Sequence, residues 1–346
     1  MIMTKGNAFV LGGSGQVGRA AVRALVADGW EVTAASRGGA RDERWPDEVR
    51  TVRLDRTEEG ALAAGLGDGC DVLVDIVAYD GGHGRQLTGL ADRIGSAVVV
   101  SSGAVYEDEE GRSFDTQDRP DGFPAFPLPT PEDWRTVAPG DTTYSTRKIA
   151  LERELLAAGD ALPTTLLRAG AIHGRFSPGP RELWFVKRAL DGRPVRVLAY
   201  GGASRFHPAH VDNLAELVRL AAAKPGSRVL NGADPEAPTV AEIGAAIDSV
   251  MGVTSETVLM DGAPDGTVGS TPWTAPHPVV YDMTAAEREL GYRPVVSYAD
   301  SLPETVAWLT EHLGDRDWRE AFTGLAKYGV DFFDYAAEDA WLKARG

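Results

Sequence analysis

Through the first hundred residues, short apolar runs alternate with amphipathic stretches. Ala8 to Leu11 is an apolar run that ends in glycines. From Gln16 an apolar pattern at helical spacing continues through Val22, Leu25 and Val26 to Gly29. Glu31–Ser36 predicts a second strand, and Arg50–Leu54 a third that ends at Asp55. A helix is expected from about Glu58, and Val72–Val77 is a nearly all-apolar fourth strand, as when helices cover both faces of a parallel sheet. His83–Ile94 reads as a helix, and Ala97–Ser101 as a fifth strand running into Ser101-Ser102-Gly103. Strands alternating with helices predict βαβ units and a doubly wound α/β fold.

From Tyr106 to Gly140 the rhythm stops. Five acidic residues fall in Glu107–Asp115, and Pro120, Pro124, Pro127, Pro129 and Pro131 follow. Phe114, Phe123, Phe126 and Trp134 favour an ordered, substrate-side loop over a disordered one. Asp141 is expected to cap a helix running to about Ala158, with a strand at Thr164–Arg168 after it. Helices are then expected at Glu182–Leu190, Val211–Ala223 and Thr239–Met251, the last with Thr239 and Glu242 in capping-box spacing. Strands are expected at Val195–Leu198 and near Val258, and further helices near Thr284–Leu290 and Ser301–Leu313. The tail from Arg316 carries Trp318, Phe322, Tyr328, Phe332, Phe333, Tyr335 and Trp341, and docking onto its own second domain is the favoured reading.

Chemistry enters first at the turn after the first strand. Gly12, Gly15 and Gly18 stand three apart between a strand and a helix. Glycines let the backbone turn sharply and approach a pyrophosphate, and the helix start supplies unpaired N–H groups and a positive dipole end. Composition narrows the partners. The 346 residues carry a formal net charge of −16, which argues against nucleic-acid or anionic-membrane binding. The one cysteine, Cys70, cannot form an internal disulfide, and no cluster suggests a metal site. With no signal-peptide pattern and no bilayer-length apolar run, a cytoplasmic location is expected.

Tyr144 and Lys148 are four apart, on one face of their helix. An ammonium nearby would lower the tyrosine pKa and fit the phenol for acid–base work near neutral pH. Ser102 ends the fifth strand, where ligands bind in such sheets, and its hydroxyl can meet a substrate oxygen.

Gly12-Gly13-Ser14-Gly15-Gln16-Val17-Gly18, Asp55, Ser101-Ser102-Gly103-Ala104-Val105-Tyr106 and Tyr144-Ser145-Thr146-Arg147-Lys148 follow in that order. Arg205-Phe206-His207-Pro208-Ala209-His210-Val211-Asp212-Asn213 and Glu289-Leu290-Gly291-Tyr292-Arg293-Pro294 follow later. Over about residues 7 to 313 the chain resembles the extended short-chain dehydrogenase/reductases, also called the NAD-dependent epimerase/dehydratase family. The resemblance implies that Gly12, Gly15 and Gly18 hold the pyrophosphate, with Ser14, Gln16 and Val17 as further cofactor positions of the same loop. It implies that Asp55 contacts the adenine and that Tyr144 is the acid/base. Lys148 would hold the nicotinamide ribose and tune Tyr144, and Ser102 would fill the catalytic Ser/Thr position. It also raises the prospect of a homodimer through the Tyr144 helix.

The second strand ends in Ser36-Arg37, where NAD sites usually place a carboxylate. Arginine suits a 2′-phosphate, so NADP is expected over NAD, with Arg19 and Arg41 as further sources of positive field. Ser102-Gly103-Ala104 lacks the carboxylates of the sugar-nucleotide dehydratases, which disfavours dehydration. Ala171 stands where epimerases of the family commonly carry a phosphate-binding asparagine, although Arg175, Arg181, Lys187, Arg188 and Arg205 could still meet a diphosphate. His173, His207 and His210 read as structural.

The expected architecture is a Rossmann-type doubly wound parallel sheet over residues 1–168, with 205–225 and about 276–290 returning to it. A smaller C-terminal substrate-binding α/β region takes 169–204, 226–275 and 291–346. The expected function is an NADP-dependent oxidoreductase that interconverts a secondary alcohol and a ketone on a polar small molecule. An NAD(P)-dependent sugar or nucleotide-sugar epimerase and a non-catalytic dinucleotide sensor stay open as alternatives.

Overall fold

The computed structural model describes residues 5–345. In chain order the first elements are β1 (Asn7–Leu11), α1 (Gln16–Ala27), β2 (Glu31–Ser36), β3 (Arg50–Arg53), α2 (Ala61–Leu66), β4 (Cys70–Asp75), α3 (Gly81–Thr88) and β5 (Ile94–Ser102). Next come α4 (Tyr144–Ala157), β6 (Thr164–Ala169), β7 (Ala171–His173), α5 (Leu183–Leu190), β8 (Val195–Leu198), β9 (Pro208–His210), α6 (Val211–Ala223) and β10 (Arg228–Gly232). The last are α7 (Val240–Met251), β11 (Glu256–Leu259), α8 (Thr284–Leu290), α9 (Tyr298–Leu313), α10 (Trp318–Ala321), α11 (Thr323–Ala326) and α12 (Tyr335–Lys343).

The chain divides into two compact units. The first runs to Gly170 and takes in Val211–Ala233 and Tyr281–Val295. Its seven strands lie in the order β10-β6-β5-β4-β1-β2-β3, every neighbouring pair parallel. Strand order reverses between β1 and β4, the topological switch point at which such sheets bind ligands. β6 is buried along its whole length, as in a strand covered on both faces, and its one charged residue is Arg168. The long loop after β5 is held by polar hubs. Asp108 is buried and accepts from the main-chain N–H groups of Glu110, Arg112 and Ala125 and from Arg112 Nε. Trp134 Nε1 donates to the Glu107 carbonyl at 2.9 Å.

The second unit comprises Ala171–His210, Asp234–Val280 and the chain from Val296 on. Trp184 and Phe185 of α5, Ile243 and Ile247 of α7, and Leu302 and Leu309 of α9 form its core. The aromatic tail docks on this unit, with Trp318, Phe322 and Phe332 buried in the same core and Tyr328 left half exposed. Small pairs β8–β11 and β7–β9 complete it.

Several boundaries differ from the pattern. The helix expected from Asp141 starts at Tyr144, because Thr143 caps it in a reciprocal pair with Thr146. The helix expected to reach Ile94 ends at Thr88, and Ile94 already belongs to β5. The fourth strand lies two residues earlier than expected, and α2 begins at Ala61. β7, β9 and β10 were not anticipated. Among the described residues no helix is long and apolar enough to cross a membrane.

Candidate active site

At the carboxyl ends of β1, β2 and β3 lies a cavity of about 520 Å³. Gly12, Ser14, Gly15, Ser36, Arg37 and Asp55 line it, together with Arg56, Val77 and His83. Each glycine of the loop has a separate steric reason. Gly12 has φ +85°, and a Cβ there would stand 2.7 Å from Val77 Cγ1. A Cβ on Gly18 would stand 2.1 Å from the Gly12 carbonyl oxygen. Gly15 is the N-cap of α1 and offers no capping side chain, and the first turn holds no acidic residue. That leaves a helix start suited to phosphate, so the cradle fits a dinucleotide pyrophosphate. Val17 and Gly18 are buried, so of these two only main-chain groups are available to a ligand, and neither lines the cavity, nor does Gln16.

Arg37 stands exposed on the cavity wall. Ser36 Oγ accepts from Gly39 N at 3.1 Å and shapes the turn beside it. Asp55 Oδ1 accepts from the Thr57 N–H and hydroxyl at 3.0 and 2.7 Å. These bonds, with a smaller contribution from the Arg37 charge, hold its carboxyl below the usual range. The two other arginines expected to reinforce Arg37 are engaged elsewhere. Arg19 pairs with the buried Asp42 at 2.6 Å and donates to the Ser14 carbonyl. Arg41 donates to the carbonyls of Val49, Trp45 and Pro46.

Ser102, Tyr144 and Lys148 come together beside the end of β5. The Ser102 hydroxyl is close enough to the Tyr144 phenol to influence its ionisation, and Ser102 Oγ accepts from Ala104 N at 3.1 Å. Tyr144 stays 42% exposed, with its ring 5.7 Å from that of Tyr79. Lys148 is buried, and its Nζ lies 5.8 Å from the Tyr144 ring centroid. It donates to the carbonyls of Ala78 at 2.6 Å and Val100 at 3.0 Å.

The expected lowering of the tyrosine pKa is not found. Desolvation of the phenol raises it, the nearby Ser102 hydroxyl lowers it less, and Tyr79 adds to the rise. Lys148 spends two donors on carbonyls instead of aiming at the phenol. Burial lowers the lysine itself to about 8, against the favourable charges of Asp75 and Glu152 and with the unfavourable one of Arg56.

Behind Lys148 runs a buried polar network that the sequence reading missed. Glu152 accepts from Ser101 Oγ and takes a fork from Arg168, whose Nη2 stands 2.7 Å away. Arg168 packs over the Tyr106 ring, and Tyr106 donates to Asn231 Oδ1 at 2.6 Å. Tyr106 is fully buried, which pushes its phenol up to about 12 and leaves it structural. Asp75 and Arg56 were also missed, the one because it closes an apolar strand and the other because it follows Asp55. A buried charge at a strand end was the available signal.

In the second unit the five cations considered for a diphosphate are each engaged. Arg188 pairs with the buried Glu338 and Lys187 with Asp191, while Arg175 meets Glu304 at 3.1 Å. Arg181 and Arg205 donate to the carbonyls of Pro272 and Ala237. His173, His207 and His210 gather around Asp234. His173 Nε2 lies 2.6 Å from Asp234 Oδ2 and His207 Nε2 2.8 Å from the Asp234 carbonyl, while His210 donates its main-chain N–H to Asp234 Oδ1. Burial disfavours a charged His173, but Asp234 and Glu182 outweigh it and raise its pKa. Among the described residues no group of three or more His, Cys, Asp or Glu is placed to hold a metal ion.

The parallel sheet carries a glycine cradle at its switch point, and Ser102, Tyr144 and Lys148 stand beside the end of β5. Residues 8–103 match the NAD dependent epimerase/dehydratase family. The chain is 32% identical over 221 residues to the 2'-dehydrokanamycin reductase of Streptomyces kanamyceticus, a stretch covering 61% of this chain and 57% of that one. The chain thus spans little more than half the length of this curated relative. A solved UDP-galactose 4-epimerase superposes at a TM-score of 0.65, with 19% identity, over 89% of this chain and 99% of that one. A UDP-N-acetylglucosamine 4-epimerase from Bacillus cereus does so at 0.68, with 17% identity, over 88% and 99%. At these identities the two structures show the shared fold.

Proposed function

We propose that the protein is an NADP-dependent oxidoreductase that reduces a ketone to a secondary alcohol on a polar small molecule. The reading rests on the placement of Tyr144 between the Ser102 hydroxyl and the Lys148 ammonium, the latter 5.8 Å from the centre of its ring. A phenol whose pKa is raised stays protonated through the neutral range, which suits a proton donor to a ketone oxygen. Ser102 orients that oxygen by a second hydrogen bond. Lys148, cationic below about pH 8, holds the ribose hydroxyls and stabilises the phenolate left after transfer. The nicotinamide, when bound, supplies the hydride. Gly12, Ser14 and Gly15 meet the pyrophosphate from the cavity wall, Gln16, Val17 and Gly18 serve it only through the main chain of the first turn of α1, and Asp55 takes the adenine.

Arg37 supports NADP over NAD, since a guanidinium binds a 2′-phosphate and no carboxylate stands at its position to repel one. The similarity to a 2'-dehydrokanamycin reductase favours net reduction, with the substrate taken by the second unit. Engagement of Arg175, Arg181, Lys187, Arg188 and Arg205 within their own unit weighs against a nucleotide-sugar diphosphate. Calorimetric titration with NADPH and NADH tests the cofactor, followed by a ketone screen at 340 nm. NADPH preference that is lost in Arg37→Asp supports the reading. Tyr144→Phe should bind dinucleotide normally and lose roughly 10²- to 10⁴-fold in turnover. Tightly retained NAD, with substrate conversion and no net absorbance change, would make the protein an epimerase instead.

A further inference from the structure

Asp75 closes β4 with no exposure to solvent, a position where an unpaired carboxylate is costly. Its partner is Arg56, nearly as buried, with Nη1 at 2.5 Å from Asp75 Oδ2. The other guanidinium nitrogens, Nε and Nη2, both reach Gln86 Oε1, at 3.1 and 2.9 Å. Gln86 Nε2 returns a bond to the Arg56 carbonyl at 3.0 Å, which ties α3 to the end of β3. One face of this assembly is the dinucleotide cavity, which Arg56 and His83 help to line.

The other face is turned to Lys148. Asp75 Oδ1 accepts from Val77 N at 2.9 Å and so folds the turn after β4. That turn carries Ala78, whose carbonyl receives Lys148 Nζ at 2.6 Å. The second acceptor, Val100, follows Val99, the β5 residue in register with Asp75. We propose that Arg56 and Asp75 form a positioning pair that couples the dinucleotide cavity to Lys148, fixing both its aim and its charge. The proposal rests on the reading of Lys148 as part of the catalytic machinery.

Every charged or titratable group around the ammonium enters the balance. Asp75 at the end of β4 and Glu152, one turn along α4, favour the charged form, whereas Arg56 after β3 opposes it. His83 of α3 feels Lys148, Arg56 and Asp75 together, and its Nδ1 is occupied as acceptor for Tyr79 N at 2.9 Å, the neutral form of the ring. Tyr144 on the same helix presents its ring to the ammonium. Glu152 is already neutralised by Arg168. Asp75 and Arg56 therefore act on Lys148 with opposite signs, a feature that separates tuning from mere packing.

The test is a titration of the Lys148 ammonium by NMR in full-length protein with isotope-labelled lysine, its signal assigned by loss in Lys148→Arg. Asp75→Asn should move the midpoint down by about one pH unit, and Arg56→Gln should move it up by about as much. The double variant, in which two amides replace the ion pair, should lie between them, and Arg56→Lys should return toward the parent. The alkaline limb of kcat/KM should follow in the same sense. Unmoved midpoints, or shifts of one sign in both single variants, would overturn the proposal. Should Asp75→Asn fail to fold, Arg56→Gln and the double variant still decide the sign. Opposite shifts in a protein that reduces no ketone would leave the pair standing and remove the reductase reading instead.

Discussion

At the scale of single residues the site is governed by desolvation. Tyr144 keeps its proton because desolvation of the phenol outweighs the pull of the nearby Ser102 hydroxyl, and Lys148 is lowered to about 8 because burial outweighs two carboxylates. Ketone reduction needs both groups protonated. As pH rises through about 8 the lysine loses its charge first, so kcat/KM for reduction should fall above that value while the tyrosine is still intact. A pH–rate profile with saturating NADPH checks this, and a flat profile to pH 10 would contradict it. The positions of Tyr144, Lys148 and Ser102 were legible because their spacing and strand-end placement are local properties. Their ionisation was not, because Asp75, Arg56 and Arg168 lie far away in the chain and meet Lys148 or its neighbours only after the sheet has formed.

At the scale of elements, α4 carries Tyr144, the proposed acid/base, at its first position, where helices fray. Thr143 and Thr146 close that end reciprocally, and Thr143 Oγ1 also reaches Asp115 Oδ2 at 2.6 Å. Thr143→Ala should cost about 1 kcal/mol in urea unfolding. It should also lower kcat with little effect on dinucleotide affinity, since Tyr144 alone loses its support. Asp141 seemed the natural cap, but Asp141, Thr142 and Thr143 stand in a row and any of them could serve by residue type. Val211–Ala223 and Val195–Leu198 agree with the pattern at both ends, because apolar spacing is regular there. β10 was invisible for the opposite reason. Its five residues end in Asn-Gly, which by itself reads as a turn, and Asn231 is kept in the strand by bonds to Thr130, Asp282 and Tyr106.

At the scale of the molecule, the second unit depends on its tail. Arg188 is buried against Glu338 of α12, and Arg193 joins the same carboxylate at 2.9 Å. Glu338→Ala strands a buried guanidinium and should destabilise this unit by about 3–5 kcal/mol, visible as an early thermal transition with NADPH protection of the remainder. The tail could be seen to need a packing surface, but its ion pairs join residues about 150 positions apart. The chain passes from one unit to the other after residues 170, 210, 233, 280 and 295. During synthesis, then, β1 to β6 leave the ribosome well before α6, the helix that packs on α1, and before β10, which covers the free edge of β6. The nascent six-stranded sheet must wait with an apolar helix face and an open strand edge exposed, the interval in which such chains aggregate or recruit chaperones.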